Sequence, residues 1–286
     1  MLINNEVSIS ENLFTETICH NIKQYNNVTK KLNGINILHM NIRSLEANFV
    51  EFEILLKKLI NKPKIIILTE TWKVPYINFY KIDGYNSIFN DSRINKSDGT
   101  LVFIDQHINY TTKIINIGLI KAIEISFNNE IITAIYRNHE INIKNFVDDL
   151  KEYLEYSKYK NHYIIGDINI DIFDKNFDKN KYNYDTERYI NNFLELGYFP
   201  VSNNITRPNK KKTGGTCLDH IFVKTDWLKK SIKSFTCQSS ITDHYIISLN
   251  IDTNVIADAN NNKKFYSINF RKLKNLANKA NWNKAN

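Results

Sequence analysis

His162-Tyr163-Ile164-Ile165-Gly166-Asp167-Ile168-Asn169 decides how the chain is read. An aliphatic run of strand length ends on a glycine, and an aspartate and an asparagine follow it two positions apart. In an extended segment such positions share one side. The same pattern, a short Ile-rich run closed by a polar residue, recurs on both sides. Strands are expected at Ile35–Met40, Lys64–Thr69, Thr100–Ile104, Ala122–Phe127, Ile131–Tyr136, His162–Gly166, Cys217–Val223 and Tyr245–Ile251. Helical spacing of apolar residues fits Leu45–Ile60, with Ser44 as N-cap, and also Ile143–Tyr156 and Asp185–Leu196, the last stopped by Gly197. Strands mixed with helices, some of them consecutive, predict an α/β sandwich of packed sheets rather than a purely parallel doubly wound fold.

The 286 residues suffice for one large α/β domain, and 42% hydrophobic with 24% charged residues is a globular composition. Asn and Ile each make up about 15% of the chain, a bias of the kind AT-rich coding DNA produces. Cys19, Cys217 and Cys237 are odd in number and lack metal-ligand spacing, which argues against a disulfide scaffold or zinc site and fits a reducing, intracellular setting. The longest aliphatic run, Ile65–Leu68, is far too short to span a bilayer, and no apolar signal core occurs in the first thirty residues. Residues 1–30 read as a polar, irregular arm, 31–255 as the folded domain, and 256–286 as a basic, truncated connector.

Net charge is +8, but seven positive charges and no acid follow Asp258, so residues 1–258 carry only +1. Within that part, Arg207, Lys210, Lys211, Lys212, Lys224, Lys229, Lys230 and Lys233 face only Asp219 and Asp226, a concentration suited to a phosphate backbone. Surface lysines in a biased composition would produce the same run, so charge alone does not choose.

The chemistry sits where expected strands end: Asn41, Glu70, Tyr136 with Arg137, Asp167 with Asn169, Asp219, and Asp243-His244. An aspartate after a strand is by itself most often a turn or cap residue. Six such places in one chain point instead to phosphodiester hydrolysis, which needs a hard cation, a positioned water and donors to phosphate oxygens. Glu70 with Asn41 forms a metal corner suited to Mg²⁺, with Mn²⁺ as a substitute. Asp167 would orient or deprotonate the water, with Asn169 on its side. His244 would donate to a phosphate oxygen with Asp219 fixing its tautomer, and Tyr136 adds a phenolic donor. His139, His162, His220, Trp72, Trp227 and Trp282 read as structural, solvent-facing or connector residues.

His39-Met40-Asn41-Ile42-Arg43-Ser44-Leu45, Leu68-Thr69-Glu70-Thr71-Trp72, Tyr136-Arg137, Ile165-Gly166-Asp167-Ile168-Asn169, Leu218-Asp219-His220-Ile221 and Thr242-Asp243-His244 together resemble the endonuclease/exonuclease/phosphatase superfamily. Thr206-Arg207-Pro208, the basic loop and Thr216-Cys217-Leu218-Asp219-His220-Ile221-Phe222 narrow the resemblance to the apurinic-like endonuclease domain of non-LTR retrotransposon polyproteins. It covers about residues 34–251. It implies a four-layer α/β sandwich of two mixed sheets flanked by helices (DNase I-like), and a Mg²⁺-dependent nick in double-stranded DNA. The nick would leave a 3′-hydroxyl that primes reverse transcription of the element's RNA in the nucleus. The element's RNA and reverse transcriptase are then expected partners, and a membrane is not.

In residues, the resemblance implies metal ligation by Glu70 and Asn41, water activation by Asp167 and phosphate contacts from Asn169 and Tyr136. Asp219 would orient His244, and Asp243 would lie at the metal site or brace it. Arg43, Arg137, Thr206, Arg207, Lys210, Lys211 and Lys212 are the expected contacts to nucleic acid. The sequence departs in having Asn138-His139 where a proline usually follows the Tyr-Arg pair, and only Asp98-Gly99-Thr100 where a glycine-rich stretch is usual. Other readings of the same residues are a cellular abasic-site repair nuclease, a phosphatase of inositol phosphates or sphingolipids, or a decayed copy that binds nucleic acid without cutting.

Overall fold

Ile-rich runs buried on both faces form the centre of the structure, a computed structural model that describes residues 19–90, 95–172, 184–202, 204–226 and 230–252. In chain order the first half comprises β1 (Cys19–His20), α1 (Ile22–Thr29), β2 (Ile35–Asn41), α2 (Leu45–Lys58), β3 (Ile65–Thr69), β4 (Tyr85–Asn90), β5 (Thr100–Asp105) and β6 (Thr111–Ile117). Then come β7 (Ile120–Phe127), β8 (Glu130–Tyr136), α3 (Ile143–Ser157), β9 (His162–Asp167) and α4 (Tyr184–Glu195). The remainder comprises β10 (Phe199–Pro200), β11 (Arg207–Pro208), β12 (Gly215–Thr216), β13 (Asp219–Lys224), β14 (Ser231–Cys237) and β15 (Ile246–Asp252).

A seven-stranded sheet has the order β1-β14-β15-β2-β3-β5-β4, and a six-stranded sheet the order β10-β13-β9-β8-β7-β6. Both are mixed: β2/β3 and β8/β9 are parallel pairs among antiparallel neighbours such as β15/β2 and β13/β9. Ile37, Ile65, Ile67, Val102 and Ile247 of the first sheet meet Ile123, Ile132, Ile165 and Ile221 of the second in one core. Because side chains alternate across a strand, the intervening Leu38, Met40, Ile66 and Leu68 point the other way and pack beneath Phe49, Phe52 and Leu56 of α2. Phe146, Leu150, Tyr189 and Phe193 of α3 and α4 cover the outer face of the second sheet in the same manner. This is the α/β sandwich of packed sheets that the strand and helix pattern predicts, in the four layers that the resemblance implies.

Each expected strand and helix is present, with small shifts at the ends. Two strand starts move by two residues: β7 begins at Ile120 and not Ala122, and β13 at Asp219 and not Cys217. The Cys217 amide donates to Asp171 Oδ1, and the Leu218 amide to Thr206 Oγ1, so neither joins the ladder. Part of the supposedly irregular arm is helical. In α1, Asn21 and Gln24 form a reciprocal capping box, and buried Tyr25 donates to Ser248 Oγ. β1, β4, β6 and β14 were not expected either. The first eighteen residues of the arm, Trp227 and the whole basic connector lie outside the described residues.

Candidate active site

Register places the polar groups. β8 pairs with β9 so that Tyr136 stands beside Asp167, and β9 pairs with β13 so that Asp167 stands beside Asp219. In the other sheet, Asn41 stands beside Thr69, one residue before Glu70. The two sets of strand ends meet where Asn41 Nδ2 donates to Asp167 Oδ2 at 2.8 Å. Arg43, Ser44, Glu70, Trp72 and Asn169 all have left-handed backbone angles (φ of 48°, 91°, 52°, 59° and 53°). Such conformations cost energy in non-glycine residues, and here they cluster where the chain turns from strand into the site.

Asp219 Oδ2 lies 2.8 Å from His244 Nδ1, which leaves Nε2 as the ring nitrogen able to address a ligand. Burial lowers the basicity of His244, but Asp219, followed by Asp167 and Asp243, outweighs it and raises the ring to about 9, so the imidazolium form prevails at neutral pH. Burial likewise opposes ionisation of Asp219, yet His244, then His39 and the Thr206 hydroxyl, hold it below the usual carboxylate range. Asp167 behaves oppositely. Burial first, then the charge of Asp219, pushes it to about 7 against the pull of His244. The Tyr136 hydroxyl is 3.4 Å from Glu70 Oε1, and burial together with the Glu70, Asp167 and Asp98 charges drives it well above its ordinary value, so it remains a donor.

Several expected contacts with nucleic acid are corrected. Arg137 is buried, and its guanidinium donates to the carbonyls of Ile168 (2.6 Å), Ile141 (2.5 Å) and Asn169 (2.7 Å). It therefore fastens the loops after β8 and β9 and is not available to DNA. Thr206 is also buried, its Oγ1 accepting from the amides of Leu218 and Asp219. Asp243, expected at the metal, has its carboxylate on Arg43 Nη1 (2.6 Å) and on Arg207 Nε and Nη2 (3.0 and 2.9 Å). Oδ2 is thus held by Arg207, while Oδ1 lies in ion-pair range of Arg43 without a hydrogen-bond partner. Asn169 gives one amide hydrogen to the Arg137 carbonyl and retains the other. Lys210, Lys211 and Lys212 are exposed in the loop between β11 and β12.

Sequence reasoning missed two groups. His39, fully buried, has Nδ1 3.6 Å from Asp219 Oδ1 and Nε2 3.1 Å from Thr69 Oγ1, and burial lowers it to about 4 despite Asp219. Its place two residues before Asn41 on the same strand, hence on the same face, was the available signal. Asn138 Nδ2 donates to Asp98 Oδ1 at 2.5 Å and joins the loops before β5 and after β8; nothing in the local sequence announces that pair.

The residues fit a hard divalent cation. Ligand atoms of the buried Asp167 and Asp219 lie within 4.8 Å of one another, and His244, cationic and paired with Asp219, adds its ring beside them without serving as a ligand. Asp219 Oδ1 is buried without a hydrogen-bond partner, and a second buried carboxylate, Asp167, stands directly beside it in the ladder. With Glu70 and Asn41 alongside, the donors are mainly oxygens, the set that Mg²⁺ and Mn²⁺ prefer.

No protein-family model and no curated protein matches the chain. Solved structures do. The endonuclease domain of TRAS1, a telomere-specific non-LTR retrotransposon, superposes with a TM-score of 0.56 at 14% identity, over 77% of this chain and 99% of that one. An AP endonuclease from Archaeoglobus fulgidus gives 0.58 at 17%, over 76% and 99%. An endonuclease/exonuclease/phosphatase family protein from Bacteroides thetaiotaomicron gives 0.53 at 12%, over 77% and 98%. The chain shares the fold of these three structures.

Proposed function

We propose that the chain is a Mg²⁺-dependent DNA endonuclease of the kind carried by non-LTR retrotransposons. It would nick target DNA and leave a 3′-hydroxyl for priming reverse transcription. The observation that carries this reading is the bond of Asn41 to Asp167 across the two sheets, beside the Asp219–His244 pair. It joins a metal corner, a candidate base and a cationic donor at one spot. Glu70 and Asn41 would hold the cation, which when bound supplies neutralising charge for the phosphate and the leaving oxygen.

This chain's residues supply the rest. Asp167, raised to about 7, is poised to take a proton from a water attacking phosphorus. His244, kept cationic and oriented by Asp219, donates to a non-bridging oxygen through Nε2, assisted by the Tyr136 hydroxyl and the remaining Asn169 amide hydrogen. The water oxygen bonds to phosphorus as the bond to the 3′ oxygen breaks, and that oxygen leaves as an alkoxide that takes a proton from solvent to become the 3′-hydroxyl.

The exposed Lys210, Lys211 and Lys212, together with Arg43 and Arg207, favour a polyanion over a small phosphate ester. Within a longer polyprotein, the element's RNA and reverse transcriptase would be the partners and the nucleus the place of action. Supercoiled plasmid incubated with Mg²⁺ or EDTA tests the reading, with an abasic duplex in parallel. Metal-dependent nicking of intact plasmid that Asp167→Ala and His244→Ala abolish is expected. Cutting confined to the abasic duplex would replace the element's nick with repair, and folded protein that cuts neither would remove the nuclease reading.

A further inference from the structure

Asp243 immediately precedes His244 and, among the described residues, is the carboxylate that contacts both Arg43 and Arg207. Those arginines come from distant parts of the chain. Arg43 lies in the turn between β2 and α2, where Asn48 Nδ2 bonds its carbonyl and its own amide donates to Asn41 Oδ1. Arg207 lies in β11, opposite Thr216 of β12. The Tyr245 amide donates to the Thr206 carbonyl at 2.6 Å, so the hairpin is also tied by its backbone to the segment carrying His244. Three loops therefore converge on one carboxylate at the rim of the site.

The arrangement leaves binding capacity in place. Each guanidinium has five N–H donors. Asp243 accepts a hydrogen bond from Arg207 Nε and lies in ion-pair range of Arg207 Nη2 and Arg43 Nη1, while the two side chains remain 49% and 44% exposed. The trio carries a net positive charge. Planar guanidinium groups suit bidentate recognition of a phosphate, and a carboxylate that fixes two of them beforehand removes much of the ordering cost of binding.

We propose that Arg43 and Arg207, bracketed by Asp243, form a binding site for a backbone phosphate flanking the scissile one, with Asp243 as the positioning residue and not a metal ligand. The proposal rests on the nuclease reading above.

Its test is binding of a fluorescein-labelled duplex to the full chain in EDTA over a series of salt concentrations, followed by nicking kinetics. Arg43→Ala and Arg207→Ala are each expected to weaken binding about fivefold to tenfold near 0.1 M salt and to reduce the slope of log K against log salt by about 1. Arg207→Lys should retain the slope and yet lower kcat, because lysine keeps the charge without the fork. Asp243→Asn should hold affinity within about threefold, since it adds net positive charge as it loosens the pair, and should lower kcat about tenfold through misplacement of the DNA. Its half-saturating Mg²⁺ concentration should not move. Alanine variants that bind with wild-type affinity and slope would reduce the trio to a surface ion pair, and a tenfold or greater rise in Mg²⁺ requirement in Asp243→Asn would make Asp243 a ligand. Wild-type protein that binds no duplex but still cuts another phosphoester would overturn the nucleic-acid reading itself.

Discussion

Asp167 and Asp219 stand directly opposite one another in the ladder between β9 and β13, and both are fully buried. Like charges in that relation destabilise a sheet, and burial intensifies the effect. A cation that relieves it should stabilise the fold. At about 100 times its Kd, Mg²⁺ is expected to add about 2.7 kcal/mol and raise Tm by about 5 °C or more. Thermal unfolding with Mg²⁺ or EDTA, for wild type and Glu70→Gln, measures this. A wild-type midpoint indifferent to the cation would count against the metal corner.

Asp219→Asn should leave the chain folded and lower kcat by about a thousandfold or more, because the amide no longer fixes the His244 tautomer or supports its charge. Single-turnover nicking separates this from a binding defect. Activity within tenfold of wild type would show that the pair is not part of the chemistry.

The loop between β11 and β12 acts at a distance from that chemistry. Replacing Lys210, Lys211 and Lys212 together with alanine should reduce the salt slope of DNA binding by about 3 and leave kcat at saturating DNA near wild type. A lowered kcat with an unchanged slope would contradict the role assigned to these exposed side chains.

Acid should weaken the fold through two buried histidines to which the site assigns no chemistry. Burial, then the charges of Lys224 and Lys113, lowers His162 to about 3; burial, opposed by the Cys217 carbonyl and Asp219, lowers His220 to about 4. In the unfolded chain both titrate near 6.5. The unfolded state therefore binds more protons as pH falls below about 6.5, and the stability these groups contribute, full above that value, is lost toward pH 4 at about 1.4 kcal/mol per pH unit per group. Guanidinium midpoints at pH 7, 6 and 5 should fall accordingly, and less steeply in His162→Gln. Equal slopes in the two proteins would show that His162 does not take part.

Gly166 holds β9 against β8. A Cβ there would lie 1.7 Å from the Ile135 carbonyl oxygen, a backbone atom that cannot move aside alone. Gly166→Ala should cost about 3 kcal/mol or more and displace Asp167, read as a lowered denaturant midpoint.

The central strands were legible because β2, β3, β8 and β9 are largely buried on both faces and read as Ile-rich runs, unbroken at Ile65–Leu68 of β3. β6 and β14 were not. They lie toward sheet edges, and polar residues such as Thr111, Lys113, Ser231 and Lys233 interrupt their patterns. α1 announced itself through Asn21 and Gln24, but its polar composition hid it. At the site, strand ends marked Asn41, Glu70, Tyr136, Asp167 and Asp219. What a linear pattern does not encode is which way a polar residue turns once several loops meet. Arg137, Thr206 and Asp243 all turn toward protein partners.

β15 lies inside the first sheet, between β14 and β2, although it is the last strand described and His244 immediately precedes its approach. A chain emerging from the ribosome thus exposes the partnerless edge of β2 until about residue 252 has been made. The Asn41 corner and the His244 corner cannot meet before then. Synthesis order itself keeps the two halves of the proposed site apart while most of the domain is still being translated.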